Sequence, residues 1–220
     1  MKQLQLPAPT VLIMMGLPGA GKSAFARHFA ETYGLPLISL DKIRYELFNE
    51  PAYTPHEQDI VNRVADYMTG ELLRSQHSFV IDGVHTNVKT NRMALHRQAR
   101  DHGFQTLVVW AQVDEPTAKV RSLKRNSKKR DDIYNRSLPE AAFEALKKQL
   151  TPPTGENYVV ISGKHTFPGQ HKAVIRKLLP PAAQPITSQA EPVRKVITPT
   201  PAVRRMSAPT RPQNRRIQIS

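Results

Sequence analysis

The sequence predicts an α/β fold: a mostly parallel, five-stranded sheet flanked by helices, followed by a disordered C-terminal tail. Three observations carry this prediction. Short apolar runs at residues 10–15, 35–40, 78–81, 107–113 and 158–162 alternate with longer stretches whose apolar residues recur at helical spacing. Strands and helices alternating in this way build crossover units, and hence a parallel sheet. Gly16, Asp41 and Asp82 stand directly after the first three runs, at the strand ends where such sheets hold their ligands.

The elements follow in order. Residues 10–15 are almost continuously apolar, as a strand covered on both faces must be. Residues 24–33 form a helix with Phe25, Phe29 and Tyr33 on one stripe, and Gly34 is its natural stop. The second strand, 35–40, leads into a helical turn or two over 41–48. Thr54-Pro55-His56-Glu57 combines a capping box with Pro at the first helical position. It opens a helix whose expected inner stripe is Val61, Val64, Met68 and Leu72. A strand at 78–81, a helix over 91–102 and a strand at 107–113 come next. Asp114-Glu115-Pro116 starts a helix that runs to about residue 126 and meets a very basic stretch, 124–136. Ser137-Leu138-Pro139-Glu140 reads as a second capping box, with Phe143, Leu146 and Leu150 turned inward. The strand at 158–162 and a helix near 170–179, carrying Val174, Ile175, Leu178 and Leu179, complete a domain spanning 1–179.

From residue 180 the composition changes. The segment 180–220 holds eight of the 19 prolines and seven Lys/Arg against Glu191 alone, with no aromatic residue. A sequence of that kind buries too little to offset the entropy of ordering it, so it is expected to be a disordered, Pro-rich basic tail. Such a tail either solubilises the domain or serves as an electrostatic arm toward nucleic acid or a membrane surface.

The chemistry centres on Gly16-Leu17-Pro18-Gly19-Ala20-Gly21-Lys22-Ser23, which is G-x-x-x-x-G-K-S between a strand and a helix. Glycines let backbone N–H groups approach phosphate oxygens, and the following helix presents its positive end to the same anion. Gly16, Gly19, Ala20 and Gly21 form the cradle, Lys22 reaches the β- and γ-phosphates, and the Ser23 hydroxyl is placed for Mg²⁺. The implied ligands are ATP and Mg²⁺. Asp82, ending an apolar strand, is a second candidate for the metal. Asp41 can act as a general base toward an attacking hydroxyl, or simply cap a helix. Arg44, three residues on, could clamp an acceptor phosphate. His85 and Asn87 either touch substrate or shape the loop after the third strand. Arg121 and Arg125, four apart, are expected on one helix face above the triphosphate, with Lys128, Lys129, Arg130 and Arg136 behind them.

Composition narrows the partners. There is no cysteine, which excludes disulfides and thiol catalysis. No leader is visible and no apolar run approaches the ~18 residues of a membrane span, so a cytoplasmic address and no membrane insertion are expected. A net charge of +14 favours phosphorylated or polyanionic partners.

Taken together, G-L-P-G-A-G-K-S, L-D-K-I-R, V-I-D-G-V-H-T-N, the R-x-x-x-R-N helix and the later P-P-x-x-E resemble the P-loop kinases of the polynucleotide-kinase type, grouped with zeta toxins. The resemblance covers residues 10–179. It implies that Asp41 is the general base, that Arg44 binds a phosphate of the acceptor, and that Arg125 binds ATP phosphates. The third motif carries two residues more than the Asp-x-Thr-Asn of many relatives. Members of that family phosphorylate nucleic-acid ends, sugars, nucleotide sugars and antibiotics. The expected function is therefore Mg²⁺-dependent transfer of the γ-phosphoryl group of ATP to a hydroxyl, with a nucleic-acid 5′-hydroxyl as the leading acceptor. A small-molecule or toxin-like kinase and a nucleic-acid-binding ATPase are the alternatives.

Overall fold

The computed structural model describes residues 6, 8–125, 134 and 137–179. The expectations for 180–220 and for Lys128, Lys129, Arg130 and Arg136 lie outside the described residues. The sheet contains β1 (Thr10–Met15), β2 (Leu37–Ser39), β3 (Phe79–Asp82), β4 (Gln105–Gln112) and β5 (Tyr158–Ser162). Its order is β2-β3-β1-β4-β5, every pair parallel. The helices are α1 (Lys22–Tyr33), α2 (Leu40–Leu47), α3 (Pro55–Arg74), α4 (Lys89–Asp101), α5 (Glu115–Leu123), α6 (Glu140–Gln149) and α7 (Phe167–Leu178). A 3₁₀ turn, Val84–Asn87, joins β3 to α4.

Both faces of β1 are buried, which is why its sequence is apolar throughout. Val11, Ile13 and Met15 face one core with Val61, Ala65 and Leu73 of α3 and Leu95 and Ala99 of α4. Leu12 and Met14 face the other, with Phe25 and Phe29 of α1 and Val174 of α7. The α1 helix ends at Gly34, whose φ of 64° lets the chain reverse at low cost.

Three local expectations are corrected. The buried stripe of α3 is Val61, Ala65, Thr69 and Leu73, while Met68 is exposed. Small residues at 65 and 69 let the helix sit close on the sheet, which the larger Val64 and Met68 would prevent. The second capping box does not form: α6 starts at Glu140 after Pro139, with no side-chain cap. Glu140 instead pairs with Lys119 of α5 at 2.7 Å, and Lys119 also reaches Glu144. Finally, β2 ends at Ser39, because its hydroxyl caps α2 by accepting from the Lys42 N–H.

Candidate active site

The phosphate loop is fixed by room as much as by torsion. Gly16, Gly19 and Gly21 take φ values of 141°, 82° and 92°. A Cβ on Gly16 would lie 2.3 Å from the Ala111 carbonyl oxygen, and one on Gly19 2.2 Å from that of Ala118. The loop is thus wedged against the end of β4 and against α5. Lys22, only 7% exposed, donates to the carbonyls of Gly16 (2.9 Å) and Leu17 (3.0 Å). Burial draws its pKa down to about 8, with Asp82 and Asp41 opposing the shift and Arg125 adding to it.

Parallel register brings the two carboxylates to the same edge. Ser39 stands opposite Asp82, and Ile13 opposite Ile81, so Asp82 lies beside the last residues of β1. The cap on α2 belongs to Ser39, which removes the capping role considered for Asp41. Burial, and after it the negative charge of Asp82, lift the Asp41 pKa to about 6. Arg125, Lys22 and Arg44 act the other way. Lys22, Asp41, Asp82 and Arg125 therefore share one electrostatic neighbourhood.

The donor chemistry suits Mg²⁺. The Ser23 hydroxyl and the buried Asp82 carboxylate would hold it, and the repulsion that raises Asp41 is what a dication there relieves. Among the described residues no group of three or more His, Asp or Glu could hold a metal. Magnesium held chiefly by phosphate and water needs no such group.

Other expected site residues are placed differently. Arg44 is 3% exposed, pairs with Glu57 at 3.3 Å, hydrogen-bonds Gln58 and lies over the Tyr53 ring. It fastens α2 to α3, while its buried Nε has no hydrogen-bond partner among the described residues. The cause of this tie lies just ahead of α3: Glu57 accepts from the Ala52 and Tyr53 N–H groups, which fixes its carboxylate beside Arg44. Asn87 is buried and uses its side-chain amide on Gly16, accepting from the N–H at 2.9 Å and donating to the carbonyl at 3.0 Å. Both ends of its amide meet Gly16, so Asn87 anchors the entry of the phosphate loop. The ring of His85 folds over Gly83, where a Cβ would meet Nδ1 at 2.7 Å. Burial holds the His85 pKa below the usual imidazole range. Arg121 and Arg125 do not share a helix face, because α5 ends at Leu123. Arg121 donates to the Gly163 carbonyl at 2.9 Å, whereas the charge of Arg125 acts on Lys22 and Asp41.

Two supports were not foreseen. Arg92 is fully buried and bidentate to Glu156, through Nε at 2.8 Å and Nη2 at 2.9 Å. It also donates to the carbonyls of Thr86, Asn87 and Thr151. His96 completes the pair by hydrogen-bonding Glu156 at 2.9 Å. Arg92 thus holds Asn87, which holds Gly16. The spacing from Asn87 to Arg92 was the available signal, but an arginine on a polar helix reads as surface charge. The second support is Gly163, whose absent Cβ would lie 2.2 Å from the Ala20 carbonyl oxygen. Its position directly after a strand, like that of Gly16, was the clue.

The model of the AAA domain family, AAA_33, matches residues 11–153. The chain belongs to this family. The matched stretch contains the phosphate loop, both carboxylates, Arg92 and both arginines of the α5 region. Curated relatives include the adenylate kinase of Enterococcus faecalis, 34% identical over 83 residues, which are 33% of this chain and 38% of the relative. The adenylate kinase of Fervidobacterium nodosum is 30% identical over 137 residues, 56% of this chain and 62% of the relative. The chain spans less than two thirds of the length of either. Among solved structures, a sugar kinase from Janibacter superposes with a TM-score of 0.54 at 15% identity, covering 78% of this chain and 95% of that one. The Pnkp1/Rnl/Hen1 RNA repair complex gives 0.54 at 22% identity, covering 65% and 44%. These likenesses show a P-loop kinase-like fold. No helix among the described residues is long and apolar enough to cross a membrane.

Proposed function

We propose that this protein transfers the γ-phosphoryl group of ATP, with Mg²⁺, to an alcohol hydroxyl. The observation that carries the reading is the meeting of Lys22, Asp82 and Asp41 at one sheet edge, with Asp41 held near neutral pKa. Lys22 and the loop amides bind and orient the β- and γ-phosphates. Ser23 and Asp82 would hold the metal, which would neutralise charge on the phosphates. The acceptor oxygen forms its bond to the γ-phosphorus as the bond to the β–γ bridging oxygen breaks, and ADP leaves. Asp41 takes the hydroxyl proton and returns it to solvent, work worth ~10²–10⁴-fold for a well-placed base. A carboxyl titrating at about 6 is ionised at neutral pH yet basic enough to accept that proton. Arg125 adds positive charge beside Lys22 and Asp41, where negative charge develops on the transferring group.

Two acceptor classes stand. The net charge of +14 supports a nucleic-acid 5′-hydroxyl, a class in keeping with the name of the RNA repair complex. The commitment of Arg44 to Glu57 supports a small metabolite, because it occupies the cation expected to receive an acceptor phosphate. The test is γ-labelled ATP offered with oligonucleotides and small hydroxyl compounds. Label must appear in an acceptor. Release of inorganic phosphate alone, unchanged by every acceptor, would make the protein an ATPase.

A further inference from the structure

A groove of about 480 Å³ runs between α3 and α4 and up to the end of β3. Leu40 and Ile81 line it, and these residues directly precede Asp41 and Asp82. His85 and Leu40, which line its head, both pack on Gly83, the residue after Asp82, so the head lies at the strand end that carries Asp82. The volume is that of a small-molecule site. We propose that this groove seats the acceptor, and that the acceptor is an uncharged polyhydroxylated small molecule, a sugar, polyol or nucleoside. The proposal rests on the phosphotransfer reading and specifies its substrate.

The lining chooses the class. Leu40, Ile81, Ala65 and Leu95 are core residues, so one side of the groove is apolar. Its polar groups are Asn62, Asp66 and Thr69 from α3 and Asn91 and Gln98 from α4, with His85 at the head. An apolar surface ringed by amides, a hydroxyl and a carboxylate matches a carbon ring bearing several hydroxyls. Hydrogen-bonding capacity remains after internal bonds are counted. Asn62 accepts from Gln58 through its oxygen, which leaves its amide donors for a ligand. Asn91 donates to the His85 carbonyl, which leaves its oxygen as an acceptor. Thr69 donates to the Ala65 carbonyl and keeps its lone pairs.

Charge excludes the other acceptors. Among the described residues no lysine or arginine lines the groove, and the carboxylate there is Asp66. Arg44 is bound to Glu57 and Gln58. A phosphate entering here would meet Asp66 with no lining cation to offset it. Nucleotides, sugar phosphates and nucleic-acid strands are thereby selected against.

The test uses the full chain, γ-labelled ATP, and matched acceptors: ribose, glucitol and adenosine against ribose 5-phosphate, AMP and an oligonucleotide with a free 5′-hydroxyl. The expected result is transfer to at least one uncharged compound, with anionic acceptors at least tenfold poorer in kcat/KM. Ala94 lines the groove from the exposed face of α4. Ala94→Phe should raise the acceptor KM at least tenfold and move ATP affinity by less than about twofold, as expected for loss of ground-state acceptor binding. Asp66→Lys, also at an exposed position, should narrow the discrimination against anions. Preference for the oligonucleotide or AMP, or an acceptor KM unmoved by Ala94→Phe, overturns the assignment while leaving phosphotransfer intact. Absence of transfer to every acceptor, with ATP still bound, overturns the phosphotransfer reading and this one with it.

Discussion

Replacing Asp41 by Asn should make the protein inactive and, at neutral pH, more stable. The carboxyl is lifted from 3.8 to about 6 by burial and by Asp82. At ~1.4 kcal/mol per pKa unit that rise corresponds to about 3 kcal/mol, reduced to about 1–2 because the side chain keeps some contact with water. The sign follows from linkage. Below pH 3.8 the carboxyl is protonated in both states and contributes no difference. Between 3.8 and about 6 the unfolded chain ionises first, and the folded state loses stability relative to it. Above about 6 the full cost is present. The Asp41→Asn variant has no such charge to bury, so its advantage should be absent near pH 3.5 and reach a plateau above about pH 6.5. Thermal melts without nucleotide should show a rise of about 2–8 °C at about pH 8. Single-turnover transfer should fall by ~10²–10⁴-fold while ATP affinity changes little. A variant that melts lower at neutral pH, or whose advantage does not depend on pH, would falsify the electrostatic account. Retained transfer would remove Asp41 as the base.

Four further outcomes are expected. Lys22→Ala should cost at least ~10²–10³-fold in turnover, the scale of losing one preorganised electrostatic stabiliser, and near-normal turnover in a folded variant would sink the kinase reading. Arg92→Met strips a buried carboxylate of its main partner and should destabilise by about 3–5 kcal/mol in urea unfolding. Arg92→Lys keeps the charge but not the fork, so it should fold, raising the KM for ATP through Asn87 and Gly16 more than it lowers kcat; equal kcat and KM for both Arg92→Lys and wild type would confine Arg92 to a stability role. Gly163→Ala places a methyl 2.2 Å from the Ala20 carbonyl oxygen, so the loop must shift. Titration should show ATP binding weakened by at least tenfold, and unchanged affinity would mean the contact is relieved elsewhere.

The sequence by itself determined the elements and their class. The apolar runs of β1 and β3, buried on both faces, are inner strands, and helices between the strands enforce parallel pairing. It also determined the phosphate loop, because the glycines at 16, 19 and 21 answer a local demand, positive φ, that is written in the residue type. Asp41 and Asp82 were legible as strand-end carboxylates for the same reason of locality. Only the tertiary structure decided how charges are partnered. Arg44 and Arg92 look alike in the sequence as cations on polar helices, yet one is closed off by Glu57 and the other by Glu156, residues 13 and 64 positions away. Asn87 lies 71 positions from Gly16 and anchors it through β1–β3 adjacency that no local pattern encodes. The α3 stripe turned for a similar reason: periodicity gives the pitch of a helix, while closeness to the sheet chooses which small residues face inward. Local chemistry is carried by residue type and spacing, whereas the pairing of a charge depends on which distant side chain folding brings beside it.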